Sequence, residues 1–328
     1  MNLRADASVR LFFLLLRTRR HTMNIEVTRI NNGITADPKG YVKAVNEEYH
    51  YQLKKITDSI INTRHEKPVI LLSGPSGSGK TTTAFMIEKL LDEAGCETHT
   101  LSMDNYFCPL THEEKELAAL GKMDLESPER IDKDLLNSQI ESIERCEEVE
   151  IPKYNFADSA RHHSGMFLRR KPGELVIFEG IHALNPAVIT VPDSKLVKLY
   201  VSVRTRVTCD DIILHPSKVR LMRRMIRDKN FRKRSLRETM NMFHSVEAGE
   251  NKYIMPYKHR SDFDIDTFMA YELNVYRDSL IGQLREMTDC PELADVTKVL
   301  ESLTPLDKND VSRDSLICEF IGNGQFKY

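Results

Sequence analysis

The residues best suited by type and spacing to do chemistry are Ser73-Gly74-Pro75-Ser76-Gly77-Ser78-Gly79-Lys80-Thr81, of which Gly74–Thr81 satisfies G-x-x-x-x-G-K-[ST]. Glycines let the backbone wrap closely round phosphate oxygens where a Cβ would obstruct it. Successive N–H groups and the start of the following helix offer donors and a positive dipole to an anion. Lys80 neutralises charge on the β- and γ-phosphates, and Thr81 offers its hydroxyl to Mg²⁺. Gly74, Pro75, Ser76, Gly77, Ser78, Gly79, Lys80, Thr81 and Thr82 are therefore read as the cradle of a nucleoside triphosphate. A chance match in a chain of this length is on the order of 1%. The loop alone does not say which chemistry follows, since hydrolases, motors and transferases share it.

Three further features could decide the reaction. Asp104 lies about two dozen residues beyond Lys80, at the expected C-terminal end of a strand. A carboxylate there can accept a hydroxyl proton or help hold Mg²⁺; a solvated aspartate at a strand end is the bland alternative. Glu179 ends the apolar run Leu175 to Phe178 and precedes Gly180, an arrangement suited to Mg²⁺ or its waters, or to capping a helix. The run Arg220, Arg223, Arg224, Arg227, Arg232, Arg234 is either a solvated helix face, a nucleic-acid patch, or a lid whose guanidiniums close over phosphates. A P-loop in the same chain favours the lid. His162 and His163 read as surface residues, and His182 as a residue lining the crevice. No Cys/His spacing supports zinc.

These residues need a scaffold, and the alternation of apolar runs supplies one. Val69 to Leu72 reads as a buried parallel strand before the glycine loop, with a helix from Thr82 to Leu91 after it. Further strands are expected at Thr98 to Ser102, Leu175 to Phe178, Leu196 to Val203 and Phe263 to Asp266. Helices are expected at 41–64, Ile131 to Ile143, Val219 to Arg227 and Ser235 to Val246, with helical spacing again after Arg277. Strands alternating with helices imply an α/β fold with a doubly wound parallel sheet, whose strand C-termini share one edge. The expected organisation is a leader and helical extension over 1–66, a P-loop domain over 67–287 and a C-terminal extension over 288–328. Residues 1–22, with the apolar hexamer Leu11 to Leu16, read as a dispensable leader or a misplaced start ahead of Met23.

Composition narrows the classes. The 328 residues are 41% hydrophobic and 29% charged, a globular balance. A formal net charge of −2 gives no general attraction to nucleic acid, and no apolar run is long enough to span a membrane. The six cysteines are scattered without a CxxC pair, which reads as reduced thiols in a cytoplasmic protein. The oligomeric state is left open, a homo-oligomer included.

Taken together, GPSGSGKTT (74–82), LSMDNYF (101–107), ESPERID (126–132), IPKYNFADSAR (151–161), LVIFEGIHALNP (175–186) and RLMRRMIRDKNFRKRS (220–235) resemble the uridine kinase and phosphoribulokinase family of P-loop kinases. They occur in the family's order over roughly residues 67–270, and even the ending DSLICEFIGNGQFKY is similar to that of a bacterial uridine kinase-like branch. The resemblance implies a P-loop kinase fold and transfer of a phosphoryl group from ATP, with Mg²⁺, to a small hydroxyl substrate such as a nucleoside. It implies that Asp104 is the catalytic base, that Glu126 binds ribose hydroxyls, and that Tyr154 and Phe156 line the nucleoside pocket. It places Arg161 near the substrate. Arg224, Arg227, Arg232 and Arg234 become an arginine-rich lid, part phosphate-binding and part substrate-facing. Thr81 and Glu179 would hold the metal. Three positions depart from the family pattern: Ser159 where a histidine contacts the pyrimidine, Glu126 in place of Asp, and Phe107 in place of Tyr.

Overall fold

A computed structural model describes residues 23–327, so the reading of residues 1–22 as a leader lies outside the described residues. Five strands, β1 (Val69–Ser73), β2 (Thr98–Ser102), β3 (Leu175–Glu179), β4 (Leu196–Ser202) and β5 (Phe263–Asp266), form one parallel sheet in the order β5-β4-β1-β3-β2. Strand β1 lies at its centre because every residue of Val-Ile-Leu-Leu-Ser is buried. Its pleat sends Ile70 and Leu72 into one apolar layer and Val69 and Leu71 into the other. The first layer is covered by α1 (Val27–Ala36), α2 (Pro38–Thr63) and α3 (Lys80–Glu93). Between β2 and β3 come the short α4 (His112–Ala119) and then α5 (Lys133–Glu144), which covers the second layer through Leu136, Ile140 and Ile143. Beyond β4 follow α6 (Pro216–Phe231), α7 (Leu236–Tyr253), α8 (Glu272–Glu286) and α9 (Ala294–Ser302).

All five strands point the same way, so Ser102 pairs with Glu179, Ser73 with Tyr200 and Asp266 with Ser202 along one edge. From central β1 the chain crosses to the edge strand β2, returns to β3, and then passes to β4 and β5 on the other side, so connections leave in opposite directions and a crevice opens at that edge. The doubly wound sheet expected from the apolar runs is the architecture observed.

Several boundaries differ for identifiable reasons. The long N-terminal helix starts at Pro38 because Asp37 accepts a hydrogen bond from the Gly40 amide and proline suits the first turn. Helix α1 ahead of it was not expected: Asn31-Asn32-Gly33 discourages a helix, yet the Tyr41 ring packs on Gly33, within 2.5 Å of where a Cβ would sit. Strand β3 runs on through Glu179, and α8 begins at Glu272 rather than after Arg277. Its first turn, Glu-Leu-Asn-Val, alternates polar with apolar residues and buries both kinds, with Glu272 and Asn274 almost without exposure, so helical apolar spacing did not reveal it. The ribbons Glu148–Glu150 with Phe167–Arg169 and Lys153–Asn155 with Ala160–His162 are too short to show alternation. So is the sheet of Asn24–Glu26, Arg206–Cys209 and Ile212–Leu214.

The C-terminal residues pack as one layer with the rest. Leu316, Ile317 and Phe320 are fully buried, and the Tyr271 hydroxyl shares a 2.7 Å hydrogen bond with Ser315. All six cysteines are free thiols. Among the described residues no helix is long and apolar enough to cross a membrane.

Candidate active site

The P-loop connects β1 to α3, and its shape follows from its glycines. Gly77 and Gly79 take φ of +74° and +85°, a region costly for other residues. A Cβ on Gly74 would lie 2.1 Å from the Val201 carbonyl of the neighbouring strand. The buried Ser78 hydroxyl has no hydrogen-bond partner among the described residues. A concave run of amides ending on the N-terminus of a fourteen-residue helix, with an orphaned buried hydroxyl inside, fits a polyphosphate.

Behind the loop, α6 presents arginines at i, i+3 and i+4, on one face of a helix. Arg220 donates to the Ser76 carbonyl at 3.1 Å, Arg223 to the Gly77 carbonyl at 3.2 Å, and Arg224 to the Ser76 hydroxyl. Arg223 is fully buried and forks onto both oxygens of the equally buried Glu272, at 2.7 and 2.9 Å. It also donates to the Thr267 carbonyl at 2.6 Å, tying the loop beyond β5 to the P-loop. Arg220 pairs with Glu250. This corrects the reading of the whole arginine run as a lid: Arg220 and Arg223 are buried braces, because each has a carboxylate partner that the linear sequence places 30 or 49 residues away.

The crevice in front of the loop collects the acids. Asp104 sits in a single 3₁₀ turn, Met103–Tyr106, capped by the Ser102 side chain accepting from the Asp104 amide at 3.3 Å. Solvent reaches it through the crevice mouth, yet protein surrounds it. Desolvation holds its carboxyl above the ordinary range, opposed by the charges of Lys80 and Arg232. Glu126 is raised by burial as well, with Arg224 and Lys80 opposing. It reaches the crevice because Gly249 of α7 has no Cβ; one would lie 2.6 Å from the Glu126 Cβ. Glu179 is buried, and desolvation with the repulsion of Asp104 pushes it up to about 7, against the pull of Lys80. The Thr81 hydroxyl donates to Glu179 Oε1 at 3.4 Å. Adjacent ligands of an octahedral Mg²⁺ sit roughly 3 Å apart, so these two oxygens fit the ion's coordination shell or its waters. Among the described residues no group of three or more His, Cys, Asp or Glu converges on a metal position. Such a pair suits an ion bound mainly through phosphates and water.

Because Glu179 titrates near 7 folded and near 4.5 in an open chain, its charge opposes folding. The penalty is absent below pH 4.5, grows as pH rises towards 7, and is complete above it. Glu179→Gln should therefore be more stable than the native protein at pH 8 without Mg²⁺, by up to about 3 kcal/mol, with the gain shrinking towards pH 5. Urea denaturation at both pH values measures it; a pH-independent difference would contradict the assigned cause.

One buried carboxylate organises the remaining arginines. Asp228, fully buried, lies 3.4 Å from Arg227, 3.2 Å from Arg232 and 3.6 Å from Arg234. Its backbone carbonyl accepts from the Arg232 and Arg234 amides, closing the α6–α7 connection. Arg232 and Arg234 are part exposed there, and Arg232 faces Asp104. Asp228 escaped sequence reasoning; its signal was an acid four residues before Arg232.

At the crevice mouth Phe107, Tyr154 and Phe156 meet edge to face, with centroids 5.1–6.1 Å apart. Tyr154 is buried and its amide donates to Asn105, beside Asp104, at 3.4 Å. Phe156 is 65% exposed, on the solvent side of the cluster. Arg161 pairs with Asp132 at 2.8 Å, whose amide in turn bonds the Tyr106 carbonyl, so the ribbon is tethered to the Asp104 turn. Ser159 takes φ +54° in that ribbon's loop. His162 and His163 lie on the surface beside Asp158 and Glu150. His182 is buried edge-on to Tyr253, and desolvation lowers it to about 4.

The profile described as "Phosphoribulokinase / Uridine kinase family" matches residues 69–273, more than half the chain. A uridine kinase of Lactobacillus helveticus is 32% identical over 200 residues, 60% of this chain and 85% of that one. The uridine-cytidine kinase 2-B of Danio rerio is 29% identical over 217 residues, 63% of this chain and 77% of that one. A solved structure titled "Structure of a Possible Uridine Kinase from Bacillus stearothermophilus" aligns at 14% identity and a TM-score of 0.40, over 66% of this chain and 97% of that one.

Proposed function

The chain belongs to the phosphoribulokinase and uridine kinase family, and from that membership we propose that it transfers the terminal phosphoryl group of ATP to the 5′-hydroxyl of a ribonucleoside-like acceptor. The observation that carries this reading is the convergence of Asp104, Glu126 and Glu179 on Lys80 at one end of a P-loop. Lys80 and the amides from Ser76 to Thr82 would hold the phosphates. Thr81 and Glu179 would hold Mg²⁺, which supplies charge neutralisation on the transferring group. Asp104 would take the acceptor's hydroxyl proton, a task helped by its raised basicity. Arg224, Arg227 and Arg232 would stabilise charge on the phosphoryl oxygens. Glu126 would accept from ribose hydroxyls. Tyr154 and Phe156 would meet the base, with Arg161 and Arg234 flanking. Free thiols agree with a cytoplasmic protein.

One observation favours a second reading, a kinase for another small hydroxyl metabolite. Ser159 has no ring to read a pyrimidine edge, and Phe156 stands largely in solvent. A panel of nucleosides, ribulose 5-phosphate and pantothenate, followed by ADP release and product mass, separates the two. Uridine or another nucleoside should give a nucleoside monophosphate. ADP release with none of the acceptors tested, despite ATP binding, would refute phosphorylation of this class.

A further inference from the structure

The orientation of a triphosphate on this loop follows from its charges. Lys80 lies in the field of Asp104, Glu126 and Glu179, so the terminal phosphate faces the acceptor crevice. The α-phosphate and the nucleoside must then leave at the other end, past Gly79 and the first turn of α3. That flank is covered by the C-terminal segment, outside the residues that match the family profile. Leu316 lies 3.0 Å from where a Cβ on Gly79 would sit. The hydroxyl of Thr82, itself fully buried, donates to Glu319 Oε2 at 2.7 Å. One turn further along α3, Phe85 stacks on Phe326 with centroids 5.7 Å apart. Phe320 is anchored under the Arg223 guanidinium, 5.2 Å away.

Glu319 therefore places an anion at the positive end of α3, where the α-phosphate of a nucleotide also belongs. Among the described residues Glu319 forms no ion pair, and Arg223, the buried cation in whose field it lies, is already paired with Glu272. We propose that Glu319 is an affinity-setting residue of the nucleotide site, competing with the α-phosphate for the Thr82 hydroxyl and the helix N-terminus, and that the segment 315–326 walls the nucleoside end. This rests on the proposal that the P-loop holds ATP. The competition is electrostatic, so it weakens binding of a charged nucleotide and leaves an uncharged nucleoside at the same flank unaffected.

The test is calorimetric titration of the full chain and of Glu319→Gln with a non-hydrolysable ATP analogue and with adenosine. The variant should bind the analogue roughly five- to tenfold more tightly, with adenosine affinity unchanged. Equal or weaker analogue binding by a folded Glu319→Gln would overturn the proposal. Should that variant fail to fold, hydrogen exchange of the native protein decides: the analogue should alter protection of the amides of residues 316–321 beyond the change that bound adenosine produces. Protection altered no further by bound analogue than by bound adenosine would overturn it. A native chain that binds no analogue refutes the ATP reading itself, whereas normal native binding with an indifferent Glu319→Gln refutes only the role of Glu319.

Discussion

Asp104→Asn should keep ATP affinity within about twofold while losing ~10²–10⁴ of turnover, the range of a positioned general base. Asparagine matches aspartate in size, so the capped turn at Ser102 and the backbone around it can persist. What disappears is the proton acceptor and one negative charge in the crevice. The charge is close to Lys80 and Arg232, so nucleotide binding should hold or tighten slightly. Asp104 takes up a proton more readily in the protein than it would in water, because desolvation outweighs its two cationic neighbours, and that makes it a stronger base than an ordinary aspartate. The activity of the native protein should accordingly fall as the pH is lowered and this group takes up its proton, earlier in the descent than for an ordinary aspartate. Steady-state kinetics with the acceptor identified by the panel, together with calorimetric ATP binding, check both halves. Turnover near the native level in Asp104→Asn would remove it from the reaction.

Arg223→Met should cost about 3–5 kcal/mol of stability, because it strands the charge of fully buried Glu272. That is a large part of the ~5–15 kcal/mol that holds a typical domain together. Replacing both partners, as Arg223→Met with Glu272→Leu, removes the stranded charge and should recover most of the loss. ATP binding should not recover with it. The Gly77 carbonyl loses its 3.2 Å donor in either variant, and the Thr267 carbonyl loses its 2.6 Å donor, so the P-loop and the loop beyond β5 are no longer tied together. Denaturant melts separate the stability effect, and calorimetry separates the positioning effect. A double variant restored in both respects would reduce Arg223 to a packing residue.

The buried braces show where local reading stops. The P-loop was legible because its chemistry is contiguous: glycines, lysine and threonine act within nine residues, and the flanking apolar runs mark a strand and a helix. Three of the five central strands, β1, β3 and β4, were legible for a related reason, since a strand buried on both faces is a largely apolar run, whereas β2 and β5 are mixed and partly exposed and were legible only through their place in the alternation of strands and helices. The arginines of α6 were visible as types but not as partners. Arg223, taken with its neighbours for a lid, is buried against Glu272, whereas Arg232 and Arg234 remain at the crevice rim. Nothing local distinguishes a guanidinium facing solvent from one facing a carboxylate 49 residues on.

The loop with which the sequence begins its chemistry is thus of two kinds. The sequence by itself determined that Gly74 to Thr81 forms an anion cradle between a buried strand and a helix, because backbone geometry and helix polarity are set by neighbouring residues. It also determined that Asp104 and Glu179 lie at one sheet edge, because parallel strands share their direction. Only the tertiary structure decided which arginines brace the cradle and which face it, that Asp228 gathers three of them, and that Glu319 reaches Thr82 from 237 residues away. Those contacts depend on which faces of α3, α6 and the C-terminal segment meet, and packing among distant segments sets that, not any local pattern.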